Sequence, residues 1–113
     1  MVSSSIDNSP ARGFFHDLHS FKDFVAIVII CAPDQFMYED WRAPDDQLNL
    51  DRAFAGLHYG LDLTAKEKGE SDRLKKCRQF VQEAYTEYQA KRPREGQAKL
   101  EEMEKLLKKF RSQ

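Results

Sequence analysis

Between Leu50 and Phe110 the apolar residues recur every three or four positions, in three successive runs, and nothing in that span alternates as a half-buried strand would. Leu50, Phe54, Leu57 and Leu61 form the first stripe. Leu74, Cys77, Val81, Ala84, Tyr85 and Tyr88 form the second, and Leu100, Met103, Leu107 and Phe110 the third. Each stripe predicts an amphipathic helix, and helices of this length are marginal alone, so the stripes must bury one another. The 113 residues, 41% hydrophobic, are enough for one compact domain with a core that needs no disulfide or structural metal. Residues 1–13 read as a polar tail, leaving 14–113 as a single helical domain.

A further helix is predicted ahead of these stripes. Ser20-Phe21-Lys22-Asp23 has the form of a capping box, and the run from Phe21 stops at Cys31, before Pro33. Phe21, Phe24, Val25, Val28 and Ala32 mark one face, while Ile27 and Ile30 make the other face apolar too, which places this helix at the centre of a bundle. The β-branched stretch Val25–Ile30 also suits a buried strand, but the chain offers no second strand to pair with it. Pro44-Asp45-Asp46 reads as the start of the second helix, with Gly56 and Gly60 inside it for close approach of a neighbour and Gly69 ending it. Ser71 caps the third helix, and residues 91–96 form the turn to the fourth. The expected fold is therefore all-α, an antiparallel bundle of four main helices with a long acidic and aromatic connection between the first two.

Chemistry-bearing patterns are sparse. Cys31 and Cys77 lie in apolar surroundings and match no metal spacing, reading as buried small hydrophobes in a reducing compartment, with a disulfide as the alternative. His16, His19 and Asp23 come nearest to a metal set, but no third ligand on one helix turn is assured, so neither metal nor cofactor is expected. His58 sits beside the second stripe at the core edge. Glu39-Asp40 and Asp45-Asp46 are neighbours on a solvated loop rather than carboxylates facing one cleft. Nucleophile elbows, phosphate-binding loops and dinucleotide fingerprints are all missing, and the expectation is a protein that is not an enzyme.

Charge is divided unevenly. Residues 1–65 carry a net −6 and residues 66–113 a net +5. Basic stretches at 73–78, 91–94 and 108–111 suggest an alternative function as a nucleic-acid-associated module, yet they are interleaved with glutamates in all but the turn, and the isoelectric point of about 6.3 counts against DNA. No apolar run is long enough to span a bilayer, so no membrane partner is expected. The first ten residues lack a basic segment followed by an apolar one, which points to a cytoplasmic location. Homodimerisation remains an option through the stripe Leu100–Phe110, should that face exceed what its neighbour covers.

The connection, 33–47, is too long to be a mere link and has room for a short helical turn near 36–41, and the most informative segment is 34–51. Asp34, Phe36, Tyr38, Glu39, Asp40, Trp41, Asp45 and Asp46 interleave aromatics with carboxylates, a composition suited to an interface in which Tyr38 and Trp41 anchor and the acids steer. The opposing reading is that Phe36 and Trp41 tuck the loop onto the bundle.

Ala32-Pro33-Asp34-Gln35-Phe36 through Glu39-Asp40-Trp41, then Leu50-Asp51-Arg52-Ala53-Phe54-Ala55-Gly56-Leu57, then Ala84-Tyr85-Thr86-Glu87-Tyr88 and Gly96-Gln97-Ala98-Lys99-Leu100, follow one another in a layout that resembles the small all-helical immunity proteins of bacteria. The resemblance covers roughly residues 14–110. It implies a cytoplasmic, non-enzymatic protein that binds a cognate toxin or effector and blocks its active site, with no catalytic residues to carry over. Acidic surfaces in that group commonly face basic nuclease toxins; the basic second half here leaves the toxin class unassigned.

Overall fold

A computed structural model describes residues 15, 17–36, 38, 40, 43 and 47–110. Four helices account for most of these: α1 (Leu18–Cys31), α2 (Leu50–Lys68), α3 (Asp72–Gln89) and α4 (Pro93–Leu107), with no strand among the described residues. The stretch Val25–Ile30 is helical. The tail expected at 1–13 lies outside the described residues.

Contacts along the chain define the topology. Phe21 and Phe24 of α1 meet Gly60 and Gly56 of α2. Asp51 and Asp62 of α2 meet Tyr85 and Arg78 of α3. Cys77 and Tyr88 of α3 meet Met103 and Gly96 of α4. The ring closes where Gln97 of α4 reaches the Ile29 carbonyl, and Lys22 reaches the Phe110 carbonyl just beyond α4 at 2.6 Å. In every pair the numbering runs in opposite senses, so this is an up-down-up-down bundle whose helices each touch two neighbours. The α3–α4 hairpin is the most closely packed pair.

Local chemistry sets the boundaries, and three differ from the sequence reading. α1 begins one turn earlier than predicted, because the box is Asp17-x-x-Ser20 rather than Ser20-x-x-Asp23. The Asp17 carboxylate accepts from the Ser20 amide at 2.8 Å, and Ser20 Oγ accepts from the Asp17 amide at 3.1 Å. The extra turn buries Leu18, and Phe15 just before the cap stacks on Phe21 with ring centroids 4.9 Å apart. α2 starts at Leu50, capped by Asn49, whose side chain accepts from the Arg52 amide at 2.8 Å; Pro44-Asp45-Asp46, the predicted start, lies outside the described residues. α4 absorbs most of the predicted turn, because Pro93 occupies the first helical position, where a missing N–H costs nothing. The link from α3 shrinks to Ala90–Arg92, with Lys91 at a positive φ of 66°. Gly69 (φ 87°) ends α2 and Ser71 caps α3, as the sequence predicts.

The core contains the predicted stripes almost whole. Phe54, Leu57, Leu61, Leu74, Cys77, Val81, Ala84, Tyr88, Leu100, Met103 and Leu107 are buried together with Phe21, Phe24, Val25 and Val28. Both cysteines are free thiols, and burial pushes the Cys77 thiol up to about 11, so it stays protonated and donates to the Met103 carbonyl. Leu100, Met103 and Leu107 are fully covered from within the chain, so the stripe considered for self-association is occupied by the bundle's own core.

One expectation about α1 fails. It is not a central helix: Ile27 and Ile30 are 48% and 75% exposed, because α1 packs against α2 and α4 only, leaving its outer face to solvent.

Candidate functional site

The connection between α1 and α2 leaves the first helix at Ala32, whose peptide bond to Pro33 is cis, and rejoins the second at Asn49. Phe36 and Leu48 are half-buried and lean on the core, pinning the segment near both ends. Between these anchors Tyr38 stands 62% exposed, and Asp34 and Asp40 are exposed as well. The expected set is thus divided: Asp34, Tyr38 and Asp40 face water, whereas Phe36 is turned to the bundle. Glu39, Trp41, Asp45 and Asp46 lie outside the described residues. No described residue of this connection is helical, so the short helical turn considered near 36–41 is not seen among them.

Tyr38, Ile27 and Ile30 are the large hydrophobic side chains that stand exposed among the described residues, and all three fall within the single stretch 27–38. The sequence reading placed the two isoleucines in the core. A signal for their exposure was present in the polar residues of the same helix face: His19, Asp23, Ile27 and Ile30 are spaced four, four and three apart, which puts them on one side. His19, Asp23 and Asp34 are exposed too.

Several of the remaining polar features pair within the fold. A shallow depression of about 580 Å³ over α3 is lined by His58, Gln82, Glu83, Tyr85, Thr86, Glu87 and Lys99. Its groups largely answer one another: Glu83 pairs with Lys99 at 2.9 Å and accepts from Gln79, and the Tyr85 hydroxyl donates to Asp51. Lys99 beside Glu83 holds that carboxyl below the ordinary range, with the Gln79 amide adding to the effect. The His58 imidazole is pushed below its ordinary value by burial; Asp62 opposes this, but Asp62 already answers the Arg78 guanidinium at 2.7 Å. Of the basic stretches, Arg78 is engaged by Asp62 and Glu70, Arg92 by Glu87, and Lys108 lies 3.9 Å from Glu104, while Lys75, Lys76, Lys91, Arg94 and Lys109 stand exposed. Among the described residues no three His, Cys, Asp or Glu side chains gather as a metal site; His16 lies outside them. No helix among them is long and apolar enough to cross a membrane.

The depressed His58 gives the fold a pH dependence of definite sign. The unfolded chain takes up this proton near the ordinary imidazole value of about 6.5 and the folded chain only below it. The stabilisation is complete above that value and is lost as pH falls through the lower, folded value. Urea titrations between pH 7.5 and 5 are expected to show stability falling towards acid, and His58→Gln to flatten part of that slope.

No family model matches this chain, and no curated protein or solved structure matches it significantly.

Proposed function

We propose that this chain is a non-enzymatic protein-binding module, an immunity-type protein that acts in the cytoplasm by binding a cognate toxin or effector and blocking it. The observation that carries the reading is the exposure of Tyr38 between two anchored points, Phe36 and Leu48, with the carboxylates of Asp34 and Asp40 beside it in sequence. A tyrosine held out from a pinned segment supplies a large apolar contact at small entropic cost, and surrounding acids raise the encounter rate with a basic partner. Trp41, Glu39, Asp45 and Asp46 belong to the same proposed surface by sequence.

The test is capture of the partner from the native host, its identification by mass spectrometry, and measurement of its affinity for wild-type, Tyr38→Ala and Trp41→Ala chains. Tyr38→Ala is expected to weaken binding by about 2 kcal/mol, roughly thirtyfold, with the melting temperature unchanged. Unaltered affinity, or binding and stability lost together, would remove Tyr38 from the interface. Co-expression with the captured partner should also relieve whatever damage that partner does to the cell.

A further inference from the structure

We infer that the outer face of α1, with Ile27 and Ile30 at its centre, Asp23 one turn before them and Asp34 in the connection that follows the helix, is a second part of the binding surface, and that its occupant is a protein presenting an apolar patch rimmed by lysine or arginine. The inference rests on the protein-binding reading above but uses different side chains.

A solvated helix face normally carries polar residues, and isoleucine is a poorer helix former than lysine, arginine, glutamate or glutamine. Singly exposed apolar residues are ordinary; here they are concentrated, with none of comparable size exposed on α2, α3 or α4 among the described residues. Ile27 and Ile30 are three apart and therefore adjacent on the helix surface. Asp23 lies one turn before Ile27, and Asp34 is exposed in the connection three residues past the end of α1. Neither carboxylate pairs with a lysine or arginine among the described residues, and Lys22, the one cation of α1, reaches instead for the Phe110 carbonyl. The apolar centre is thus bracketed by negative charge on a half-chain that is itself net −6. That field draws a basic partner and resists an acidic one.

The same charges argue against a second copy of this chain. Two α1 helices meeting antiparallel about an axis between Ile27 and Ile30 would bring the start of one helix, with Asp23, towards the acidic connection that follows the other, like charge against like.

The probe is a pair of helical peptides with identical leucine faces, one with lysines and the other with glutamates flanking that face. Each is titrated into the isotopically labelled full chain and followed by amide chemical shifts. The lysine peptide is expected to perturb residues 23–34 first, to bind at least tenfold tighter than the glutamate peptide, and to weaken with added salt. Ile27→Ser/Ile30→Ser and Asp23→Lys/Asp34→Lys chains should each lose tenfold or more in affinity while keeping the wild-type helical circular dichroism. Equal binding of both peptides, shifts centred elsewhere, or no shifts at millimolar peptide would overturn the inference. So would a concentration-dependent dimer in sedimentation that Ile27→Ser/Ile30→Ser abolishes, since the face would then belong to self-association. The two readings separate cleanly: if this test fails while Tyr38→Ala still weakens the captured partner, only the α1 face is lost. If the α1 face binds and Tyr38→Ala changes nothing, the connection is lost instead.

Discussion

Gly60→Ala is expected to destabilise the protein by about 2 kcal/mol, even though alanine is the better helix former by about 1 kcal/mol at an exposed position. A Cβ built on Gly60 falls 2.0 Å from Phe21 Cε1, with two more atoms of the same ring at 2.3 and 2.4 Å. Phe21 cannot turn aside: it is buried, and the Phe15 ring packs against it with centroids 4.9 Å apart. The methyl group must therefore part α1 from α2 or force the ring off its rotamer, and either outweighs the gain in helix propensity. Guanidinium melts of wild type and variant read the difference directly. A Gly60→Ala/Phe21→Leu double variant should be more stable than the sum of its single changes implies, by about 1 kcal/mol, because the smaller side chain vacates the space the methyl needs. Strict additivity would show that the close approach of α1 and α2 is not what Gly60 serves.

Leu100→Ala should cost more, about 3 kcal/mol within the usual range of 2–5 for a fully buried leucine. Leu100 is wholly covered, in one core with Met103 and Leu107 of its own helix and Leu74, Cys77 and Val81 of α3. These residues sit in the most closely packed helix pair, which has little freedom to collapse into the vacated volume. Ile30→Ala removes a similar mass of hydrocarbon from a residue 75% exposed and is expected to change stability by no more than about 0.5 kcal/mol. The contrast between two aliphatic side chains of equal size measures how far burial, rather than composition, determines the outcome. A loss below 1 kcal/mol for Leu100→Ala would mean that the hairpin relaxes around the gap.

The architecture was legible wherever a stripe kept its period. Leu57, Leu61, Val81, Leu100 and Leu107 fell in the core as the spacing required, because a 3–4 repeat leaves a helix only one face to bury. Helix starts were less legible, since Asp17 and Ser20 offer two overlapping boxes in adjacent turns and only the burial of Leu18 selects between them. Pro93 misled for a related reason: proline marks both the end of a turn and the first residue of a helix. α1 was the real failure. A helix apolar on both faces reads as central, and sequence cannot count how many neighbours it will have; with two, the Ile27–Ile30 side stays outside. At the candidate site, the aromatics of the connection looked alike in sequence. Phe36 and Tyr38 are two residues apart, and which of them turns inward depends on where the loop meets the bundle.

The closing contact of the ring joins the first helix to the last. Lys22 is bonded to the Phe110 carbonyl, and the groove that receives α1 is made of α2 and α4 together. During synthesis, then, α1 and α2 can pair early, but the fourth wall arrives only with the final residues of the domain. Until α4 has emerged from the ribosome, the inner sides of Phe21, Val25 and Val28 have no complete enclosure, and the nascent chain holds its first helix half-sheltered.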